Sequence, residues 1–259
     1  MILTKLFNPL VFILILFLKT SIVNFNSIKL LSLSMKLAAL FSGGKDSTFA
    51  LYKAMGEGHE IKYLVTIFPE RQDSWMFHYP CVELTKLQAD ALGIKQIIGK
   101  TKGEKEKELD CLRKILSKLK DINGVVSGAL ASNYQKKRID KICEELGLES
   151  IAPLWQRDQG EILREESSLF DVIITAVSAD GFDASWLGRK IDEKTIEDLK
   201  RLKERFGINL GFEGGEAESF VLDAPIFKKR IEIKSFEKKW DNKTNSGYIE
   251  VKSSRLIKK

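Results

Sequence analysis

Met35-Lys36-Leu37-Ala38-Ala39-Leu40-Phe41-Ser42-Gly43-Gly44-Lys45-Asp46-Ser47 is the stretch whose reading decides the fold. An apolar run of strand length, Leu37 to Phe41, meets two glycines and then a segment carrying Phe49, Leu51 and Tyr52 at helical positions. A buried strand that passes through a glycine turn into a helix is the opening unit of a parallel α/β sheet covered on both faces. Outward from this unit the alternation continues. Strands are expected at Ile61 to Phe68, Gln96 to Ile98, Gly124 to Val126 and Glu149 to Ala152. Between them Leu109, Leu112, Leu116 and Leu119 recur at helical spacing, as do Ile139, Ile142, Cys143 and Leu146, with Gly147 placed to end that helix. The expectation is an α/β fold, a doubly wound parallel sheet of five strands that occupies residues 35–152. Beyond it lie a helix near Gln159 to Ser168, a strand at Val172 to Val177 and a helix carrying Ile196, Leu199, Leu202 and Phe206. With β-like segments after Phe220, residues 153–259 are expected to form a smaller α+β domain.

The turn Ser42-Gly43-Gly44-Lys45-Asp46-Ser47 sits at the carboxyl end of the first strand, where open α/β sheets collect ligands. Its glycines permit positive φ and close backbone approach, so consecutive N–H groups can face an anion. The helix that follows adds unpaired donors and a partial positive charge, and Lys45 a full one. A polyphosphate, ATP above all, is the guest these features suit. The Walker pattern is absent, because no glycine stands five residues before the Gly44-Lys45 pair, and so is the G-x-G-x-x-G dinucleotide fingerprint. For Asp46 two roles stand side by side: holding Mg²⁺ against phosphate oxygens, and capping the helix that starts there. A second segment joins the site by topology. Gly128 follows the fourth strand, where its missing side chain would admit nucleotide, and Tyr134, Gln135 and Arg138 fall within the first two turns of the next helix. Arg138 either reaches a phosphate or the substrate, or makes a surface ion pair.

The densest anomaly is Gly211-Phe212-Glu213-Gly214-Gly215-Glu216-Ala217-Glu218-Ser219-Phe220, where three carboxylates crowd around Gly214 and Gly215. If a strand begins at Glu216, then Glu216 and Glu218 share a face. Carboxylates so close repel one another, which raises a pKa or calls for a cation; the alternative is a solvated acidic turn.

Composition bounds the rest. The chain has 259 residues, 44% hydrophobic and 30% charged, a globular profile without linker-like or repetitive segments. Cys81, Cys111 and Cys143 form no C-x-x-C pair, which argues against a disulfide framework or zinc site and suits a reducing cytoplasm. The formal charge of +6 belongs to the C-terminal end, where residues 228–259 hold eleven Lys or Arg against four acids. That end reads as a solvated lysine-rich surface with a frayed tail, with an acidic macromolecular partner as the alternative and no stable nucleic-acid complex expected. Residues 1–34 stand apart. Their nine-residue apolar run, Leu10 to Leu18, is short of the roughly 20 residues a membrane span needs. No small-residue cleavage site follows it. The expectation is a start at Met35 or a loose extension, with a membrane anchor as the less favoured alternative.

The six residues Ser42 to Ser47 resemble the loop of the N-type ATP pyrophosphatases, which implies a Rossmann-like sheet of the adenine nucleotide α-hydrolase type. It also implies cleavage of ATP between the α and β phosphates. Taken with Trp75-Met76-Phe77-His78, Gly128 through Arg138, Pro153-Leu154-Trp155 and Glu213 through Glu218 followed by Asp223-Ala224-Pro225, the chain from Met35 to about Phe227 resembles the diphthine–ammonia ligase family. The resemblance implies a carbon–nitrogen ligase that adenylates the carboxylate of diphthine on the translocating elongation factor. Ammonium then gives the amide, with AMP and pyrophosphate released. It further implies catalytic roles for Lys45, Asp46, Glu213, Glu216 and Glu218, with the glutamates holding the quaternary ammonium of diphthine or the incoming ammonium. His78, set among Trp75, Phe77 and Tyr79, is either a substrate contact or a packed structural histidine. Free ammonium is the expected nitrogen source, since no cysteine follows Met1 or Met35 to start a glutaminase, and sulfur transfer is disfavoured for want of a cysteine pair. The rival readings are another amide-forming or tRNA-modifying enzyme of the same superfamily, and an adenine-nucleotide-binding regulator without turnover.

Overall fold

Alternation of side chains along a single strand explains how the sheet acquires two covered faces. In β1 (Lys36–Leu40) Leu37 and Ala39 point to one core and Ala38 to another, and all three are fully buried. The protein, studied as a computed structural model, is described at residues 34–69, 84–101 and 105–259. The apolar N-terminal run, Trp75 through Tyr79 with His78, and Cys81 lie outside the described residues. Ser34–Lys259 forms one compact unit.

Five strands, β1, β2 (Glu60–Pro69), β3 (Lys95–Thr101), β4 (Gly124–Val126) and β5 (Glu149–Ile151), pair in parallel in the order β3-β2-β1-β4-β5. Each expected strand is present, lengthened or shortened at its ends by one to three residues. The helices are α1 (Lys45–Gly56), α2 (Thr85–Leu92), α3 (Lys105–Leu116) and α4 (Asn133–Glu145). The chain winds one way from β1 through β3 and the other way from β4 to β5, so a crevice opens at the carboxyl ends of β1 and β4. One face of the sheet is closed by Leu112 and Leu116 of α3 with Ile142 and Cys143 of α4. Burial, and then the charge of Asp140, push the Cys143 thiol up to about 11, so it behaves as an inert core group.

The other face runs into a second, antiparallel sheet built from β6 (Asp171–Val177), β7 (Ala217–Asp223), β8 (Lys229–Asp241) and β9 (Ser246–Lys258) in the order β7-β6-β9-β8. Helices α5 (Gln159–Leu169) and α6 (Glu193–Phe206) accompany it, each started by an aspartate whose carboxylate accepts a backbone N–H at 2.8 Å, Asp158 from Glu161 and Asp192 from Thr195. Phe49 of α1 meets Phe170 edge-on at 5.8 Å, and Tyr52 meets the same ring at 5.9 Å. Through them one core passes from α1 to Ile174, Phe220 and Val221 of the second sheet.

Two expectations change. Helix α1 takes Gly44 as its N-cap with no side-chain cap, so Asp46 lies inside the first turn and does not cap it. The lysine-rich C-terminal end is no frayed tail: β8 and β9 are strands of thirteen residues each. Ile231 and Ile249 are buried on the inner face, while Glu237 and Glu250 on the outer face pair with Lys239 and Lys252. A period of two hidden among lysines makes a hairpin whose edge strand β8 is guarded by charge. No helix among the described residues is long and apolar enough to cross a membrane.

Because Phe170 belongs to the core that both sheets share, Phe170→Ala should cost about 3–5 kcal/mol. Unfolding in urea should remain one transition, with far-UV circular dichroism and tryptophan fluorescence coinciding. Separate transitions would show that the two sheets hold their stability independently.

Candidate active site

The loop after β1 is shaped by its own hydroxyls. Ser47 Oγ donates to the Gly44 carbonyl at 3.1 Å and Thr48 Oγ1 donates to the same carbonyl at 2.9 Å, fixing the first turn of α1. The Ser42 N–H reaches Ser47 Oγ at 3.3 Å and the Gly44 N–H reaches Ser42 Oγ at 3.4 Å. Both contacts are at the long end of hydrogen bonding, which leaves these donors available to an anion. Gly43 has φ +81°, and a Cβ there would strike the Gln88 side chain, so the position demands glycine twice over.

In front of the loop lies a cleft of about 420 Å³. Ser42, Asp46 and Ser47 form its polar end with Ser127 and Gly128 opposite, and Val65, Ile67, Leu112 and Ile139 supply an apolar wall. A polar end with backbone donors and an apolar end is the make-up of a nucleotide pocket. Gly128 lines the cleft and also has a packing role. A Cβ on it would stand 2.7 Å from the Asp46 carbonyl carbon and 2.8 Å from the Ser47 nitrogen. The room its missing side chain leaves is filled by the backbone of α1, which brings the β4 loop and the phosphate loop edge to edge.

Lys45 turns away from the cleft. Its side chain is 1% exposed, and Nζ donates to Asp46 Oδ1 at 2.7 Å and to the Gly211 carbonyl at 3.3 Å. Glu166 Oε2 of α5 stands at 3.5 Å and the Phe212 ring centroid at 5.3 Å. Burial opposes the lysine's charge, but Asp46 and Glu166 outweigh it and set its pKa above the ordinary value. Burial drives Glu166 well above the ordinary carboxylate range, with Lys45 pulling it down and Asp46 pushing it up. Neither Glu166 oxygen finds a hydrogen-bond donor.

The three glutamates of the acidic segment point in three directions. Strand β7 begins at Ala217, so Glu216 and Glu218 are not two positions of one strand face. Glu213 Oε1 accepts the Ala131 N–H at 2.8 Å and the Ser132 N–H at 3.4 Å, clasping the segment to the loop after β4. Glu216 folds back onto its own turn, accepting from Asn209 N and Gly214 N at 2.9 Å each. Gly214 leaves room for that fold, since a Cβ there would stand 2.7 Å from Glu216 Oε1, and Gly215 ends the turn with its N–H bonded to the Phe212 carbonyl at 3.1 Å. Phe212 itself holds φ +64°, a strained conformation for a bulky residue, with its buried ring beneath the Lys45 ammonium. Glu218 stands near the start of β7, within electrostatic reach of Asp46 and Lys45. Its residue keeps an exposed flank, yet its carboxyl is pushed up to about 7, by desolvation first and by the charge of Asp46 second, with Lys45 acting the other way.

The remaining expected residues flank the cleft. Arg138 stacks on the exposed Tyr134 ring, its guanidinium carbon 3.7 Å from the centroid. Gln135 falls within α4, its side chain outside the described residues. Among the described residues no three His, Cys, Asp or Glu side chains gather as a metal cage. Asp46 on the rim of the cleft fits the other usual arrangement, one carboxylate sharing Mg²⁺ with phosphate oxygens. Three residues that place the site had drawn no notice in the sequence. Ser219 Oγ accepts the Lys45 backbone N–H at 3.2 Å, Gln88 is fully buried against the loop, and Glu166 holds Lys45 from below. Glu166 left a legible signal, a carboxylate on the Ile162, Leu163, Phe170 stripe of a helix, where burial demands a partner.

The family model described as Diphthamide synthase N-terminal domain matches residues 35–150, and the one described as Diphthamide synthase C-terminal domain matches residues 158–257. A Homo sapiens protein named Diphthine--ammonia ligase is 33% identical over 226 residues, covering 78% of this chain and 84% of that protein. A Danio rerio protein of the same name is 33% identical over 225 residues, covering 78% and 88%. One from Schizosaccharomyces pombe is 32% identical over 239 residues, covering 85% of this chain and 39% of that longer protein.

Two outcomes test the site. Gly128→Ala drives a Cβ into the α1 backbone and should weaken ATP binding about tenfold by calorimetry, since a clash of that kind costs about 1–3 kcal/mol. Glu218 keeps its proton up to about pH 7 in the folded chain, whereas its ordinary value is 4.5. Between those two values the folded state binds the extra proton, so stability falls as pH rises through the window and is level above it. Glu218→Gln should therefore raise Tm relative to the parent chain at pH 8 and leave it unchanged at pH 4.

Proposed function

Since the chain belongs to the diphthamide synthase family, we propose that it joins ammonia to the carboxyl group of diphthine on a protein substrate. ATP activates that carboxyl and leaves as AMP and pyrophosphate. The observation that supports this reading best is the junction of the phosphate loop with β7. Val221 N donates to the Gly43 carbonyl at 3.1 Å and Lys45 N to Ser219 Oγ at 3.2 Å, so a nucleotide site and Glu218 share one edge.

The chemistry explains the need for both. Ammonia cannot expel oxide from a carboxylate. A diphthine carboxylate oxygen that attacks the α phosphorus breaks the bond to the bridging oxygen, and pyrophosphate leaves with the electron pair. Ammonia then attacks the acyl carbon of the resulting adenylate, and the acyl–oxygen bond breaks to release AMP. Backbone N–H groups of the loop and the start of α1 supply fixed positive dipoles for the phosphates, an electrostatic contribution made in advance of the reaction. Mg²⁺ on Asp46 would neutralise charge between that carboxylate and the phosphates. Lys45 serves from behind, holding Asp46 and the acidic segment in place, and does not itself line the cleft. Ammonium must lose a proton before it can attack. Glu218, with a carboxyl poised near 7, is the base suited to take it. In this reading Glu213 and Glu216 shape the segment. The protein substrate is the translocating elongation factor, and the free thiols of Cys111 and Cys143 suit a cytoplasmic setting.

The full chain, given ATP, Mg²⁺, ammonium and a diphthine-bearing elongation factor, should release AMP and pyrophosphate only when the factor is present. The factor should carry the acid-to-amide mass change. Formation of ADP and phosphate would sink the mechanism. Glu218→Gln should still release pyrophosphate in the first half-reaction while amide formation drops about 10²–10⁴-fold.

A further inference from the structure

Gln88 of α2 touches the phosphate loop through a side-chain hydrogen bond, and nothing in the chemistry above uses it. It is completely buried, and its Nε2 donates to the Gly43 carbonyl at 2.9 Å and to the Val221 carbonyl at 2.8 Å. The amide orientation is settled by its partners, because turning it over would set Oε1 against two carbonyl oxygens. The Gly43 carbonyl thus receives two donors, Gln88 Nε2 and the Val221 N–H at 3.1 Å. A trans peptide is planar, with its C=O and N–H pointing in opposite directions. Pinning the Gly43 carbonyl toward β7 therefore turns the N–H of the same peptide, that of Gly44, the other way. There its nearest partner is the cleft-lining Ser42 Oγ, at a loose 3.4 Å.

We propose that Gln88 is a positioning residue for the nucleotide. By clamping the Gly43–Gly44 peptide to β7 it aims the Gly44 N–H at the phosphates and keeps the loop in register with Glu218. The same clamp explains why Gly43 accepts no side chain, since the space a Cβ would need belongs to Gln88 Oε1. Helix α2 reaches this point with support. Gln96 Nε2 donates to Thr85 Oγ1 at 2.7 Å and to Thr66 Oγ1 at 2.9 Å, and Thr66 Oγ1 donates to the Phe41 carbonyl at 2.7 Å. Two buried polar chains therefore run from α2 to either end of Phe41-Ser42-Gly43.

This inference rests on the reading of the cleft as an ATP site, and the test separates the two. Gln88→Met keeps the volume and removes both donors; Gln88→Glu keeps the shape and sets acceptors against the two carbonyls. Calorimetry with ATP and with pyrophosphate, on the full chain, should show binding weakened about tenfold or more in the Met variant and further in the Glu variant. The KM for ammonium should stay within about twofold, because Gln88 does not face that substrate. An ATP affinity within twofold of the parent, in whichever variant folds, overturns the proposal. So does an equal rise in KM for ATP and ammonium, which would mark a general structural role. Failure of the parent chain to bind ATP would sink the reading of the cleft instead.

Discussion

A lysine ammonium with 1% of its side chain exposed must find its counter-charges inside the protein, and the way Lys45 does so organises everything around it. Its partners come from three directions: Asp46 on its own helix, Glu166 on α5, and the Gly211 carbonyl with the Phe212 ring on the acidic segment. The strained backbone of Phe212 persists because its ring and the neighbouring carbonyl are both held by that charge. Asp46 is kept at the rim of the cleft. Burial raises Glu166 well above the ordinary carboxylate range even so, with the Lys45 ammonium pulling it back and the Asp46 charge adding to the rise.

Around this charge the two sheets cooperate in one site. The parallel sheet brings the phosphate loop and the loop after β4 to the point where its winding reverses, and Gly128 lets their backbones touch. The antiparallel sheet lends the edge of β7, whose Ser219 and Val221 bond directly to the loop. Backbone contacts of this kind fix distances more tightly than flexible side chains do. In the proposed reaction, nucleotide chemistry and the carboxyl of Glu218 would thereby share a single frame, as two successive steps at one acyl group require.

Much of this was legible in advance. The strands around Leu37, Ile61 and Val125 carry apolar runs that only a covered parallel sheet can bury, and helices α3 and α4 announce themselves by leucine and isoleucine spacing. The C-terminal hairpin was harder to see, because Ile231 and Ile249 sit among lysines that dominate any reading of composition. In the acidic segment residue type gave the right address but a false unity. Three glutamates within six positions suggest one cluster, yet Glu213 reaches the loop after β4, Glu216 folds back on its own turn, and Glu218 falls within the strand that begins at Ala217.

By itself, then, the sequence determined the order of strands and helices, the phosphate loop and the segment that faces it, because local periodicity and short-range turn chemistry are written in neighbouring residues. Only the tertiary structure decided that Lys45 points inward, that Gly128 admits a helix backbone, and that Gln88 and Glu166 belong to the site. Each of those depends on atoms brought together across 45 to 166 residues of chain, Gln88 to Gly43 at one extreme and Lys45 to Gly211 at the other. Burial makes those meetings obligatory, because it removes the water that would otherwise satisfy each group and strengthens the pairing that replaces it.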